Sequence, residues 1–407
     1  FTVGAALSTT QAVPTTIGTS GTLIPSFTPV TASGGTAPYA FALSGGALPA
    51  GMSFNTATGL VSGTPGSALA TTTFTVTVTD AVGTASLKTF VLTVNAGLTT
   101  TQAIASRFGD VGVAIPAFIP VTAAGGTAPI TFALTPLATL TGVGMAFDVS
   151  TGAVSGTPSG TLALTTFTVT ATDNLGATSA KTFTLTVNAA LTTTQAVPAR
   201  VGNNGTAIAS FTPVTASGGT APIAFAISPA ATLTGIGMAF NTGTGAVSGT
   251  PAGTLAITTF TVTATDNIGA TSFQTFTLTV NAALTTTAAV PATVGTQGTL
   301  IPTFTPVTAA GGSAPITFAV TPLATLTGIG MAFDVSTGAV SGTPSGPLAL
   351  TTFTVTATDN IGATSAKTFT LLVNGPLATT QAIPAKVGTQ GAAIAAFIPV
   401  TTAGGTA

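Results

Sequence analysis

The segment TTFTVTATDN occupies residues 165–174, returns unchanged at 258–267 and 351–360, and has a diverged copy, TTFTVTVTDA, at 72–81. Each copy alternates apolar and hydroxyl side chains. Successive side chains of a strand point to opposite faces, so a period of two reads as a strand with one face buried. In 165–173 this predicts Phe167, Val169 and Ala171 inward and the threonines outward. Asn174-Leu175-Gly176 then turns the chain, and KTFTLTVN (181–188) returns with Phe183, Leu185 and Val187 inward.

The rest of the same unit reads as further short strands. PITFALT (129–135) puts Ile130, Phe132 and Leu134 inward and Thr131, Ala133 and Thr135 outward. FIPVTAAGG (118–126) reads as one strand that ends at a glycine pair. GMAFDVSTGAVSGTP (144–158) reads as two short strands around the turn Asp148–Gly152, where Asp, Ser and Thr supply acceptors and Gly supplies positive φ. The segment TQAIASRFGDVGVAI carries one or two short strands along the sheet edges. No stretch has helical periodicity with caps. About seven strands with a turn signal near every tenth residue indicate an all-β sandwich.

The unit is repeated. LTTTQA or a near variant begins at Leu7, Leu98, Leu191, Leu284 and Leu377, at spacings of 91, 93, 93 and 93 residues. Tandem β-sandwich repeats of about 93 residues, forming an extended rod, are therefore expected. The boundaries are 7–97, 98–190, 191–283 and 284–376, with 1–6 as the end of a preceding repeat and 377–407 as an incomplete fifth. Phe1-Thr2-Val3 aligns with the end of FTLTVN (183–188), and the chain stops at GGTA (404–407), so both ends read as cuts. Only Asn-Ala-Ala separates Val187 from Leu191, a junction short enough to restrict hinging.

Composition narrows the chemistry. Only 3% of residues are charged, every acid is Asp, and Cys is absent. A surface with so little field disfavours nucleic-acid binding and electrostatic membrane binding. No apolar run approaches the roughly 20 residues of a membrane helix, and hydroxyls are left to solvate the surface, which permits lateral association or glycan cover and equally fits drift in a low-charge secreted repeat.

A resemblance adds to this reading. LPAGMSFNTATGLVSGTP (48–65) is similar to the signature of the putative Ig domain family and of dystroglycan-type cadherin-like repeats, with Met52 where Leu is usual. GMAFDVSTGAVSGTP at 144–158 and 330–344 and GMAFNTGTGAVSGTP at 237–251 keep its second half, while LTGVG or LTGIG replaces its beginning. The resemblance implies an immunoglobulin-like sandwich and a role as a spacer, adhesin or filament part of an extracellular, bacterial surface protein.

Catalysis is not expected. His, Cys and Glu are missing, so the common bases and nucleophile partners are missing. Of the seven Asp, Asp80, Asp173, Asp266 and Asp359 share one turn position, and Asp110, Asp148 and Asp334 complete the set. A turn role is favoured over calcium, which takes six to eight oxygens; the Asp148 position is Asn55 and Asn241 elsewhere. Lys88, Lys181 and Lys367 share a position that is Gln274 in the third repeat, which argues for exposed charges rather than isopeptide crosslinks. Tyr39 has Ile130, Ile223 and Ile316 as counterparts and is no repeated sugar platform. Asn204-Gly205-Thr206 is an unrepeated sequon. The outward rows Thr168, Thr170, Thr172 and Thr182, Thr184, Thr186 read first as solvated strand faces, then as sites for glycosylation, lateral packing or ordered water. No catalytic, cofactor or metal residues are expected. The expected partners are neighbouring copies or adjacent repeats, and a cell-surface or glycan partner. The expected role is a stalk or filament body, with adhesin modules binding through Thr-rich faces as the alternative.

Overall fold

The computed structural model describes residues 4–404. The alignment drawn for Phe1-Thr2-Val3 and the last three residues of the GGTA segment lie outside them. The residues pack into two units. The first runs up to Leu191 and adds Gly218–Pro222 and Asp266–Ala270; the second comprises Thr192–Ser217, Ile223–Thr265 and the residues from Thr271 on.

The second repeat, within the first unit, stands for all four. A four-stranded sheet has the order Ser106–Asp110, Thr178–Asn188, Leu162–Thr172, Thr131–Thr135. Its edge strand Ser106–Asp110 runs parallel to Thr178–Asn188, and the other pairs are antiparallel. A three-stranded sheet orders Ile115–Phe118, Val154–Gly156, Met145–Phe147, and Thr99–Gln102 pairs with Val121–Ala124. The chain is thus all-β with four tandem repeats, each a sandwich of sheets.

The alternating segments form the core as their pattern requires. Phe167, Val169, Ala171 and Leu185 are fully buried, and Phe183 and Val187 nearly so. Phe167 and Phe183 lie opposite one another in register and stack with centroids 5.4 Å apart, while Phe118 meets Phe183 edge-on. Each buried Phe contributes about 1.5–3 kcal/mol by transfer, and the pairs add about 0.5–1.5 kcal/mol. Leu134 is buried, Phe132 packs against the core, and Thr131, Ala133 and Thr135 are exposed. The turn after Phe147 forms as expected: Asp148 Oδ1 accepts from the amides of Ser150 (2.8 Å) and Thr151 (3.2 Å), and Gly152 has φ 73°.

Two expectations are corrected. FIPVTAAGG is not one strand: it breaks at Ile119-Pro120, and Phe118 and Val121 enter different sheets. Proline has no N–H for a ladder, and the Pro120 carbonyl accepts instead from Ala103 and Ile104. A helix also exists. Leu137–Gly142 forms six helical residues, with counterparts at Ala230–Gly235 and Leu323–Gly328. It is too short for a period, and its N-cap Pro136 makes no side-chain cap. Burial of Leu140 anchors it. The first repeat, which has the LPAGM segment there, has no helix, and Leu48 packs on the core.

Candidate functional site at the repeat junctions

The residue type that recurs once per repeat in the most confined position is the aspartate closing the long hairpin. In the second repeat, Asp173 Oδ1 accepts from the amides of Leu175 (3.0 Å) and Ala177 (2.8 Å), which is the turn role read from sequence. Its Oδ2 accepts from the Thr127 amide at 2.8 Å. Thr127 follows the pair Gly125-Gly126, both at positive φ. A Cβ on Gly125 would sit 2.3 Å from the Gly97 carbonyl oxygen, so only glycine lets this loop close on the preceding repeat.

The same Oδ2 also reaches that repeat. Thr19 Oγ1 donates to it at 2.6 Å and lies 2.7 Å from Thr127 Oγ1. A threonine hydroxyl has one hydrogen, and a carboxylate only accepts. Thr19 therefore gives its hydrogen to Asp173, and Thr127 donates to Thr19. Asn95 Nδ2 donates to Thr127 Oγ1 at 2.9 Å. The result is a one-way chain, Asn95 to Thr127 to Thr19 to Asp173, with Thr19 wholly buried and Asp173 nearly so. Burial pushes the Asp173 carboxyl up, but the Thr19 hydroxyl and the amides of Thr127, Ala177 and Leu175 outweigh it and hold it below the usual carboxylate value. Both oxygens are taken by N–H and O–H donors, so they are not poised for a cation. Among the described residues no three His, Cys, Asp or Glu side chains gather.

In the second unit the chain recurs with other residues. Asn281 Nδ2 donates to Ser313 Oγ (2.9 Å), Ser313 Oγ to Asn203 Oδ1 (2.9 Å), and Asn203 Nδ2 to Asp359 Oδ2. The Ser313 amide donates to the same carboxylate oxygen at 2.8 Å. Burial again opposes, and the Ser313 amide with the Asn203 side chain again prevails, so the Asp359 carboxyl lies below its usual value.

The first unit holds a third version. Asn188 Nδ2 donates to Thr220 Oγ1 (2.9 Å), and Thr220 Oγ1 donates to Asp110 Oδ1 (2.7 Å). Asp266 Oδ2 accepts from the Thr220 amide (2.9 Å), and its Oδ1 accepts from Ile268 (3.1 Å) and Ala270 (2.8 Å). Asp110 is wholly buried, its Oδ2 has no donor to satisfy it, and its carboxyl contacts that of Asp266. Burial first, and then the Asp266 carboxyl, push Asp110 above the usual value. Burial raises Asp266 too, but contact with Asp110 and its amide donors carry it below.

The variable link of the chain, Thr19, Asp110 or Asn203, was not singled out from sequence. Aligned units would have shown it: IGTSG (17–21), FGDVG (108–112) and VGNNG (201–205) each place a hydrogen-bonding side chain after the same glycine. Other residues with a reading from sequence take quieter places. Lys88, Lys181 and Lys367 are exposed. Tyr39 donates its hydroxyl to the Gly34 carbonyl. Thr182 stands opposite Thr168 and Thr184 opposite Thr166, whereas Thr170 faces Ala180.

A profile of the family described as putative Ig domain matches residues 3–95, 98–188, 190–281 and 283–374. No curated protein matches the chain. Among solved structures, an I-band fragment of titin is similar at 11% identity and TM-score 0.37, covering 67% of this chain and 97% of that one. The Sidekick-1 immunoglobulin domains are similar at 13% and 0.33, covering 90% and 99%. A protocadherin gammaB7 cis-dimer structure is similar at 15% and 0.29, covering 90% and 99%.

Proposed function

The chain belongs to the putative Ig domain family, and from that premise we propose that it is a structural repeat region of an extracellular bacterial surface protein, serving as a stalk or the body of a filament. Residues 7–97, 98–190, 191–283 and 284–376 are its working modules. The observation that carries the reading is the repeated hydrogen-bond chain. Asp173, Asp266 and Asp359 each join the hairpin of one repeat to the side chain that ends the edge strand of the repeat before. A contact remade at successive modules serves the holding of neighbours in register. The role is mechanical rather than catalytic, because His, Cys and Glu are absent from the chain. Adjacent repeats and further copies are its partners. Small-angle scattering on the full chain is expected to give a maximum dimension that grows with each module added; a compact particle of four modules would refute the proposal.

A second reading, adhesion through the hydroxyl face, draws on the cross-strand pairs Thr168–Thr182, Thr166–Thr184 and Thr172–Thr178 on one outward surface. Reproducible binding of the chain to a glycan array, lost on replacing these threonines by valine, would favour it over the stalk.

A further inference from the structure

The three hydrogen-bond chains run in one direction and end on a carboxylate. Their variable link must therefore do two things at once: accept from the hydroxyl of Thr127, Thr220 or Ser313, and donate to the aspartate. A threonine hydroxyl does both with one oxygen. An asparagine accepts with Oδ1 and donates with Nδ2, as Asn203 does. An ionised aspartate only accepts. A protonated aspartate is the near-isostere of asparagine, with a carbonyl that accepts and a hydroxyl that donates. Asp110 has the matching arrangement: Oδ1 receives Thr220, Oδ2 is buried without a donor, and the Asp266 carboxyl is in contact with the group.

We propose that Asp110 and Asp266 share one proton, carried on Asp110 Oδ2, and that loss of this proton loosens the contact of Asp110 with Gly218–Pro222 and Asp266–Ala270, making this junction alone tighten in acid.

The proton belongs on Asp110 because Asp266 is already held as an anion by the amides of Thr220, Ile268 and Ala270. The groups facing Asp110 are Asn188 from the adjoining strand, Thr220 from 218–222 and Asp266 from 266–270, so the one charge among them is negative. The cation on its own strand, Arg107, lies over the Phe118 ring. A metal is the poorer occupant: two carboxylates, three of whose oxygens already accept hydrogen bonds, fall short of the six to eight oxygens calcium takes. The burial and repulsion that raise the Asp110 carboxyl agree with this placement.

The closed junction keeps a proton that the opened one releases above the ordinary Asp value of about 3.9. Opening is therefore favoured as pH rises, by up to about tenfold per pH unit, until the raised value of Asp110 is passed and the effect levels off. Asp173 and Asp359, held below the usual value, give no such dependence above about pH 4.

Hydrogen exchange on the full chain tests this, with protection factors corrected for intrinsic exchange from about pH 4 to about pH 8. Protection of segment 218–222 is expected to fall with pH, while 125–129 and 311–315 stay level. Asp110→Asn is expected to abolish the fall and keep high protection throughout, and Asp110→Thr, which copies the link Thr19 provides, serves if the first variant folds poorly. A level profile in the unaltered chain would overturn the proposal, as would a fall that persists in both variants. A profile shifted by calcium or by chelator would also overturn it, since it would put a cation where the proton is placed.

Discussion

The junctions built on Asn203 and on Asp110 differ by an amide for a carboxyl in the same slot. Asn203 accepts from Ser313 and donates to Asp359 whatever the pH. Asp110 accepts from Thr220 just as well, but it donates to Asp266 only with a proton. One heavy-atom exchange turns a permanent link into a conditional one. In a buried chain of hydrogen bonds the donor count, more than shape or volume, decides whether a link holds.

The largest effect is expected from removing the carboxylate on which the Asn203 chain ends. Asp359→Ala strands the Asn203 amide and the amides of Ser313, Ile361 and Ala363. A loss of about 3–5 kcal/mol is expected, read from the denaturant dependence of exchange around 311–315. A loss below about 1 kcal/mol would mean the turn aspartate holds nothing across the junction.

Exchanging the link comes next in size. Asn203→Asp should transplant the conditional junction, weakening 311–315 by about 2–3 kcal/mol at neutral pH and recovering near pH 4. If that variant is equally weak at both pH values, the carboxyl pair is not closing by proton sharing.

Acid provides a test without mutation. The Asp173 and Asp359 carboxyls lie below their unfolded values. Their contribution is therefore complete above about pH 4 and lost as pH falls through their lowered values. Exchange at 125–129 and 311–315 should accelerate there, before any change in the Phe-rich cores.

Smaller effects mark the limits. Thr19→Val removes the donor to Asp173 but leaves the Thr127 amide in place. A pH-independent loss of about 1–2 kcal/mol is expected between pH 5 and 8, measured the same way. Lys181→Gln, on an exposed side chain, should change stability by less than about 0.5 kcal/mol, as the Gln274 already present at that position suggests.

Much of this molecule was legible from local pattern. The alternation of Phe167, Val169 and Ala171 against threonine identified strand, buried face and hairpin partner, because a period of two has one physical meaning in a half-buried strand. The turn role of Asp173 and of Asp148 was readable because the donors lie two to four residues away. The six-residue helix was not, since its stability comes from burying Leu140 rather than from any periodicity of its own. Nor was the break in FIPVTAAGG, where Pro120 could end a strand or sit on its edge.

The repeat was legible because the same pattern returns every 91 to 93 residues, and the inward residues and the hairpin aspartates because they depend on neighbours within a few residues. That Thr19 reaches Asp173 and that Asp110 meets Asp266 came from folding alone, since these contacts span more than 150 positions. A lone Asp110 reads as one more surface charge until folding removes the water around it. Burial beside a second carboxyl then makes its proton part of the junction.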